Sequence, residues 1–145
     1  MKKLIIATIL LSTFFISCSR QAIKMNFIKE KDKDFEQILT LAKQQKKIVF
    51  IDVYTTWCGP CKWMDENVFT DARVAEKFNK KFINYKIDGE SFEGVNVVLK
   101  YSVGAYPTYI FVKPDGTPLH RIEGMMGAEG LVQEADFAAN LLKKK

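Results

Sequence analysis

The chain has 145 residues, of which 48% are hydrophobic and 27% charged, and a formal net charge of +5. That length accommodates one domain with a core of its own, and the composition is that of an ordinary globular protein. The charge argues against nucleic acid as a partner: two of the five charges are Lys2 and Lys3, and the other lysines are scattered as on a solvated face.

Met1-Lys2-Lys3 is a basic start, and Leu4 to Ile16 is apolar apart from Thr8, Ser12 and Thr13. This stretch falls short of the ~20 residues a spanning helix needs but suits the core of a signal peptide. Phe15-Ile16-Ser17-Cys18 resembles the lipobox of bacterial lipoproteins, with Phe15 where leucine is usual. The resemblance implies a signal peptide over 1–17 and a lipidated Cys18 as the new N-terminus. It places the protein in the bacterial cell envelope, on the periplasmic side, tethered to a membrane. An ordinary secretory signal with an incidental Cys18 is the other reading. Lipidation would also account for the odd cysteine of three, leaving Cys58 and Cys61 as a pair. Several acyl chains, at about 0.8 kcal/mol per buried methylene, make a stable anchor. Residues 18–30 then form a tether with a short first strand over Met25 to Ile28, and 31–145 form the folded domain.

Asp34, with Gln37 three residues on, marks a helix start. Phe35, Ile38, Leu39 and Ala42 recur at helical spacing to about Gln45. Ile48 to Val53 is an apolar run of the length of one buried parallel strand. Asp52 stands inside it, with Ile51 and Val53 on either side. An ionised carboxylate is expensive to bury there, so its pKa is expected to rise. Trp57-Cys58-Gly59-Pro60-Cys61-Lys62 follows the strand, and Lys62 to Asn67, without Gly or Pro, continues as a helix. Two thiols at this spacing can close a disulfide or stand free, and so exchange two electrons. Cys58 falls at the helix N-terminus, where unpaired N–H groups and the helix dipole favour a thiolate. Pro60 fits the first turn, where its missing N–H had no partner to lose.

These six residues are those of the thioredoxin active site, and the resemblance covers roughly Met25 to Lys145. It implies an α/β thioredoxin fold, in the order β-α-β-α-β-α-β-β-α, with a central mixed sheet flanked by helices. It implies a thiol–disulfide oxidoreductase without a cofactor, with Cys58 as nucleophile and a less exposed Cys61 as resolving thiol. Asp52 matches a buried aspartate that moves a proton to or from the second cysteine. The sequence departs from the family at Asp65-Glu66-Asn67, where a kinking proline is usual. Val68-Phe69-Thr70-Asp71 reads as a break, with Thr70 capping a second helical piece through Ala72, Val74, Ala75 and Phe78. That arrangement is more similar to periplasmic thioredoxin-like domains of bacterial electron-transfer systems. Asn84 stands where family members often place a lysine near the buried aspartate, so the proton-transfer details are expected to differ.

Phe82 to Asp88 reads as a second parallel strand, and Val95, Val98 and Leu99 are expected to line a short helix ending near Tyr101. In Ala105-Tyr106-Pro107-Thr108 the resemblance implies a cis Pro107 packed against the cysteines, beside backbone free to pair with an extended substrate. Tyr109 to Val112 continues as a strand, Lys113-Pro114-Asp115-Gly116 makes a type I turn, and Leu119 to Ile122 returns as its partner. Gly124 matches a family glycine that lets a substrate chain approach, and Met125 and Met126 are candidates for an adaptable apolar rim. A last helix runs from Leu131 to Leu142 on Leu131, Ala135, Ala138 and Leu142.

The resemblance therefore implies a protein-disulfide reductase outside the cytoplasm. Trp57, Gly59, Pro60, Tyr106, Pro107 and Gly124 would line a shallow groove for protein thiol or disulfide substrates. A membrane disulfide reductase would supply electrons, and the protein would be a monomer. Two other readings stand beside it: an oxidase or isomerase of the same compartment, and a lipid-tethered binding module whose disulfide is structural. A metal site is disfavoured, since His120 is the only histidine and one Cys-x-x-Cys supplies two of four zinc ligands.

Overall fold

A computed structural model describes residues 23–143, so the signal-peptide and Cys18 expectations lie outside the described residues. The elements are β1 (Ile28–Lys29), α1 (Phe35–Gln45), β2 (Ile48–Tyr54), α2 (Gly59–Asn67), α3 (Ala72–Lys81), β3 (Phe82–Asp88), α4 (Phe92–Tyr101), β4 (Thr108–Val112), β5 (Pro118–Glu123) and α5 (Ala128–Lys143). The predicted order stands, with its second helix divided into α2 and α3. The five strands form one sheet in the order β1-β3-β2-β4-β5. β1 and β2 run parallel to β3, while β4 is antiparallel to both β2 and β5.

The side chains of β2 alternate between two cores, as the pleat requires. Ile48 and Phe50 join Met64, Phe78, Tyr109, Phe111 and Leu131 on the face covered by α2, α3 and α5. Val49, Ile51 and Val53 join Ile38, Tyr85 and Val97 on the face covered by α1 and α4. Asp52 therefore belongs by parity to the first face, beneath α2.

Local signals explain the starts of the helices. Asp34 accepts the Gln37 N–H at 2.8 Å, and the Gln37 side chain accepts the Asp34 N–H at 3.2 Å, a complete capping box. Asp34→Ala is expected to cost about 1 kcal/mol, read as a lower urea midpoint at unchanged slope. The cap of α3 is Asp71, which accepts the Arg73 N–H at 2.9 Å, and not the predicted Thr70. Thr70 instead donates its hydroxyl back to the Glu66 carbonyl at 2.7 Å. No proline is needed to end α2: Val68 and Phe69 both turn into the core, and both their N–H groups bond the Met64 carbonyl.

Three other expectations shift. The first strand is Ile28–Lys29 rather than Met25 to Ile28, because Met25 goes into the core beside Phe69 and its N–H bonds the Phe69 carbonyl. In α4 the buried positions are Gly94, Val97 and Tyr101, while Val95 and Leu99 face outward. Gly94 fixes that rotation, since a Cβ there would lie 1.7 Å from the Asp88 carbonyl oxygen, and the helix can pack this close only through its glycine. Leu142, one turn past the last buried residue of α5, Ala138, is exposed.

Candidate active site

The central strand β2 delivers the chain to the end of the sheet at Tyr54, and Cys58 caps α2. Its backbone is extended, and its sulfur accepts the Cys61 N–H at 3.1 Å. Cys58 and Cys61 are joined in a disulfide. Both are 3% exposed, so burial does not separate them as predicted. What differs is position: Cys58 lies at the cap, facing the unpaired N–H groups of the first turn, while Cys61 lies within the helix.

Around the sulfurs, Trp57 is 65% exposed, and Gly59 and Pro60 are exposed beside it. The Trp57 indole donates to both carboxylate oxygens of Glu90, at 3.0 and 3.1 Å, and meets the Tyr106 ring edge-on at 6.0 Å. The Tyr106–Pro107 bond is cis, as expected, and Pro107 is buried at the start of β4. The Pro107 carbonyl accepts the Gly124 N–H at 2.8 Å, which ties the two loops together. Gly124 has φ +85 with open space where a Cβ would be, so glycine is set there by backbone conformation rather than by crowding. Met125 is exposed, whereas Met126 is half-buried against the core.

Beneath the helix the register sets three side chains in a row: Lys86 of β3, Asp52 of β2 and Tyr109 of β4. Asp52 is 1% exposed, as predicted, but it is not without a cation. The Lys86 ammonium lies 2.5 Å from Asp52 Oδ2 and 2.7 Å from Asp65 Oδ1 on α2. It also sits 4.5 Å from the centre of the Tyr54 ring and 5.5 Å from those of Phe27 and Phe69. Burial pushes the Asp52 carboxyl up; the Lys86 charge and hydrogen bond pull it down without cancelling the rise, and Asp65 adds to it. For Lys86, burial works against the ammonium, but Asp52 and Asp65 outweigh it and hold the group charged. The lysine expected at position 84 is thus supplied at 86. Asn84 instead binds the Asn26 carbonyl and the Asn79 side chain, both at 3.2 Å.

Lys86, Asp65 and Glu90 were not legible as site residues. Lys86 carried one signal, a charge inside an otherwise apolar strand at the same distance from the strand start as Asp52. Asp65 and Glu90 carried none. His120 is used elsewhere, 2.5 Å from Glu134 and packed against Phe111 and Phe137. Among the described residues no group of three His, Cys, Asp or Glu side chains is placed to hold a metal ion, and no helix is long and apolar enough to cross a membrane.

The arrangement has counterparts. The chain is 38% identical, with a TM-score of 0.72, to the solution structure of a putative disulphide-isomerase from Bacteroides thetaiotaomicron, covering 82% of this chain and 96% of that one. It is 34% identical over 116 residues to the chloroplastic thioredoxin Y of Oryza sativa subsp. japonica, covering 80% of this chain and 66% of that one, so it spans about two thirds of that relative. It is 27% identical over 122 residues to the thiol:disulfide interchange protein DsbD of Campylobacter jejuni (strain RM1221), covering 83% of this chain and 21% of that one. A family model described as thioredoxin-like matches residues 30–114, from before α1 to the turn after β4, and so takes in the disulfide, the Asp52–Lys86 pair and the cis proline. The chain belongs to the thioredoxin-like family.

Proposed function

We propose that the protein is a thiol–disulfide oxidoreductase that reduces protein disulfides outside the cytoplasm. The observation that carries this reading is the Cys58–Cys61 bond at the cap of α2, beside an exposed Trp57 and the cis Pro107. In the reduced protein the Cys58 thiolate attacks one sulfur of a client disulfide. The other client sulfur leaves with the bonding pair and takes a proton from solvent. The Asp52 carboxylate takes the Cys61 proton, directly or through water, and the Cys61 sulfur then attacks Cys58. The second client sulfur leaves, and the Cys58–Cys61 disulfide is restored. Trp57, Gly59, Pro60, Tyr106, Pro107 and Gly124 form the groove, and an extended client pairs with the backbone beside Pro107.

The basic, apolar start of the chain and the lipobox-like Phe15-Ile16-Ser17-Cys18 support export and a lipid anchor at Cys18. The likeness to a thiol:disulfide interchange protein supports a disulfide-reductase partner as the electron donor; the reading places that donor in the membrane and takes a monomer as the working unit. A second reading, disulfide isomerase, is favoured by the name of the Bacteroides structure. The Gly59-Pro60 pair between the cysteines favours reduction.

The test is the potential of the Cys58–Cys61 couple in dithiothreitol or glutathione buffers, with insulin reduction as the activity assay. A value near about −270 mV is expected of a reductant, while one well above about −200 mV supports disulfide formation or isomerisation instead. Protein that never reduces insulin, whatever its potential, leaves only a binding module with a structural bond.

A further inference from the structure

One ammonium serves two carboxylates in this site. Lys86 lies in the sheet, 9% exposed at its side chain, with Asp52 (1%) on one side and Asp65 (42%) on the other. Asp65 stands on α2 one turn after Cys61, so it shares a helix face with that thiol. It also opens outward: with Lys86 it lines a cavity of about 390 Å³, walled by Phe27 and Phe69 and edged by Lys24 and Lys29. A single positive charge cannot compensate two negative ones fully. Whatever attraction Asp65 takes from Lys86, Asp52 loses, and Asp65 adds its own repulsion.

We propose that Asp65 is a positioning residue of the exchange reaction, sharing the Lys86 ammonium with Asp52 so that the buried carboxyl can accept and return the Cys61 proton. The inference rests on the oxidoreductase reading above and goes beyond it by assigning a control element outside the usual pair of buried groups. Every neighbour of Asp52 bears on the claim. Lys86 faces it from β3 and Asp65 from α2. Tyr109 is its register partner on β4, a neutral phenol pushed well up by burial. Tyr54, two residues on in β2, is also pushed up by burial, with Asp88 and Glu30 adding to the rise. Lys24 and Lys29 line the same cavity as Asp65. Among these groups only Asp65 both hydrogen-bonds the Lys86 ammonium and carries a charge that reaches solvent. It is therefore the group through which Asp52 can be tuned without opening the core.

The test reads Asp52 itself, from the carboxyl carbon shift against pH in the full chain, oxidised and without a client. Asp65→Asn returns Lys86 wholly to Asp52, so the Asp52 midpoint is expected to fall by about one pH unit. Asp65→Glu should restore most of the wild-type midpoint, and Lys86→Met should move it the other way. The pH midpoint of insulin reduction should follow the carboxyl in each variant. An Asp52 midpoint unchanged in folded Asp65→Asn overturns the proposal, because Asp65 then does no more than pin α2 to the sheet. A carboxyl midpoint that moves while the rate profile stays put overturns it as well. Failure of the oxidoreductase reading is distinguishable: it appears as wild-type protein without activity at any pH, whatever the Asp52 titration does.

Discussion

Cys61→Ser is expected to stall the protein on its clients, as mixed disulfides through Cys58 that survive a non-reducing gel and dissolve in dithiothreitol. The first half of the reaction needs only the Cys58 thiolate at the helix cap, which this substitution leaves in place. The second half needs a sulfur at position 61, because a serine hydroxyl does not ionise at neutral pH and attacks a disulfide poorly. Turnover in insulin reduction should fall by at least about a thousandfold, equivalent to ~4 kcal/mol of transition-state stabilisation. The fold should persist, since serine is nearly isosteric and the N–H at position 61 remains. Cys58→Ser should lose the same turnover and trap nothing. The pair of outcomes separates nucleophile from resolving thiol, which equal burial of the two sulfurs does not. A folded Cys61→Ser protein that captures no client would sink the assigned roles.

How much of this could be read from the sequence depends on how local each signal is. The capping box at Asp34 and Gln37 and the paired thiols at a strand–helix junction act over three or four residues, and they stand where they were expected. Strand limits were also legible within a residue or two for β2 to β5, because apolar runs end at turn residues. The rotation of α4 was not. Val95, Val98 and Leu99 look like a core stripe, and Val98 does pack against the core, but Val95 and Leu99 face outward because Gly94 must face Asp88, a constraint that comes from packing rather than from hydropathy. Asp71 took the cap of α3 from Thr70 because a hydroxyl one residue earlier found the Glu66 carbonyl instead.

The site divides in the same way. Its covalent centre is contiguous in sequence and was legible, whereas its electrostatic partners are not contiguous. Asp52 meets Lys86 only because Ile48 pairs with Phe82, which carries the register 34 positions along the chain. A shift of two residues would have set Asn84 there, the position favoured by alignment to the family. Glu90 reaches Trp57 across the gap between β3 and α2, and no periodicity announces such a contact. Catalytic groups carried by one motif can be read early. Those that tune them wait for register and packing.

Lys86→Met is expected to cost about 3–5 kcal/mol at neutral pH and almost nothing near pH 4, and the difference between the two is the informative part. Methionine matches the length of the lysine stem and can lie against Phe27, Tyr54 and Phe69 much as the stem does, so packing is largely kept. Asp65, partly exposed, can turn to water. Asp52 cannot: it remains buried with its cation gone, the situation in which breaking a buried pair is costly. Protonation limits the damage, because a carboxyl in that position takes a proton rather than bear an unpaired charge. Taking one up costs the variant about 1.36 kcal/mol for each pH unit by which its Asp52 stands above the already raised wild-type carboxyl. The sign follows from the raised carboxyl. Below the unfolded value both states hold the proton, and the variant loses nothing. As pH rises past it the unfolded chain releases the proton while the folded one keeps it, so stability falls steadily through that window. Urea midpoints measured between pH 4 and 8 read this slope directly. Adding Asp52→Asn to Lys86→Met should remove the slope and recover most of the loss at neutral pH, since no buried charge is then left to neutralise. A Lys86→Met loss that is equal at both ends of the range would mean that the lysine matters for its packing, and that Asp52 does not depend on its charge.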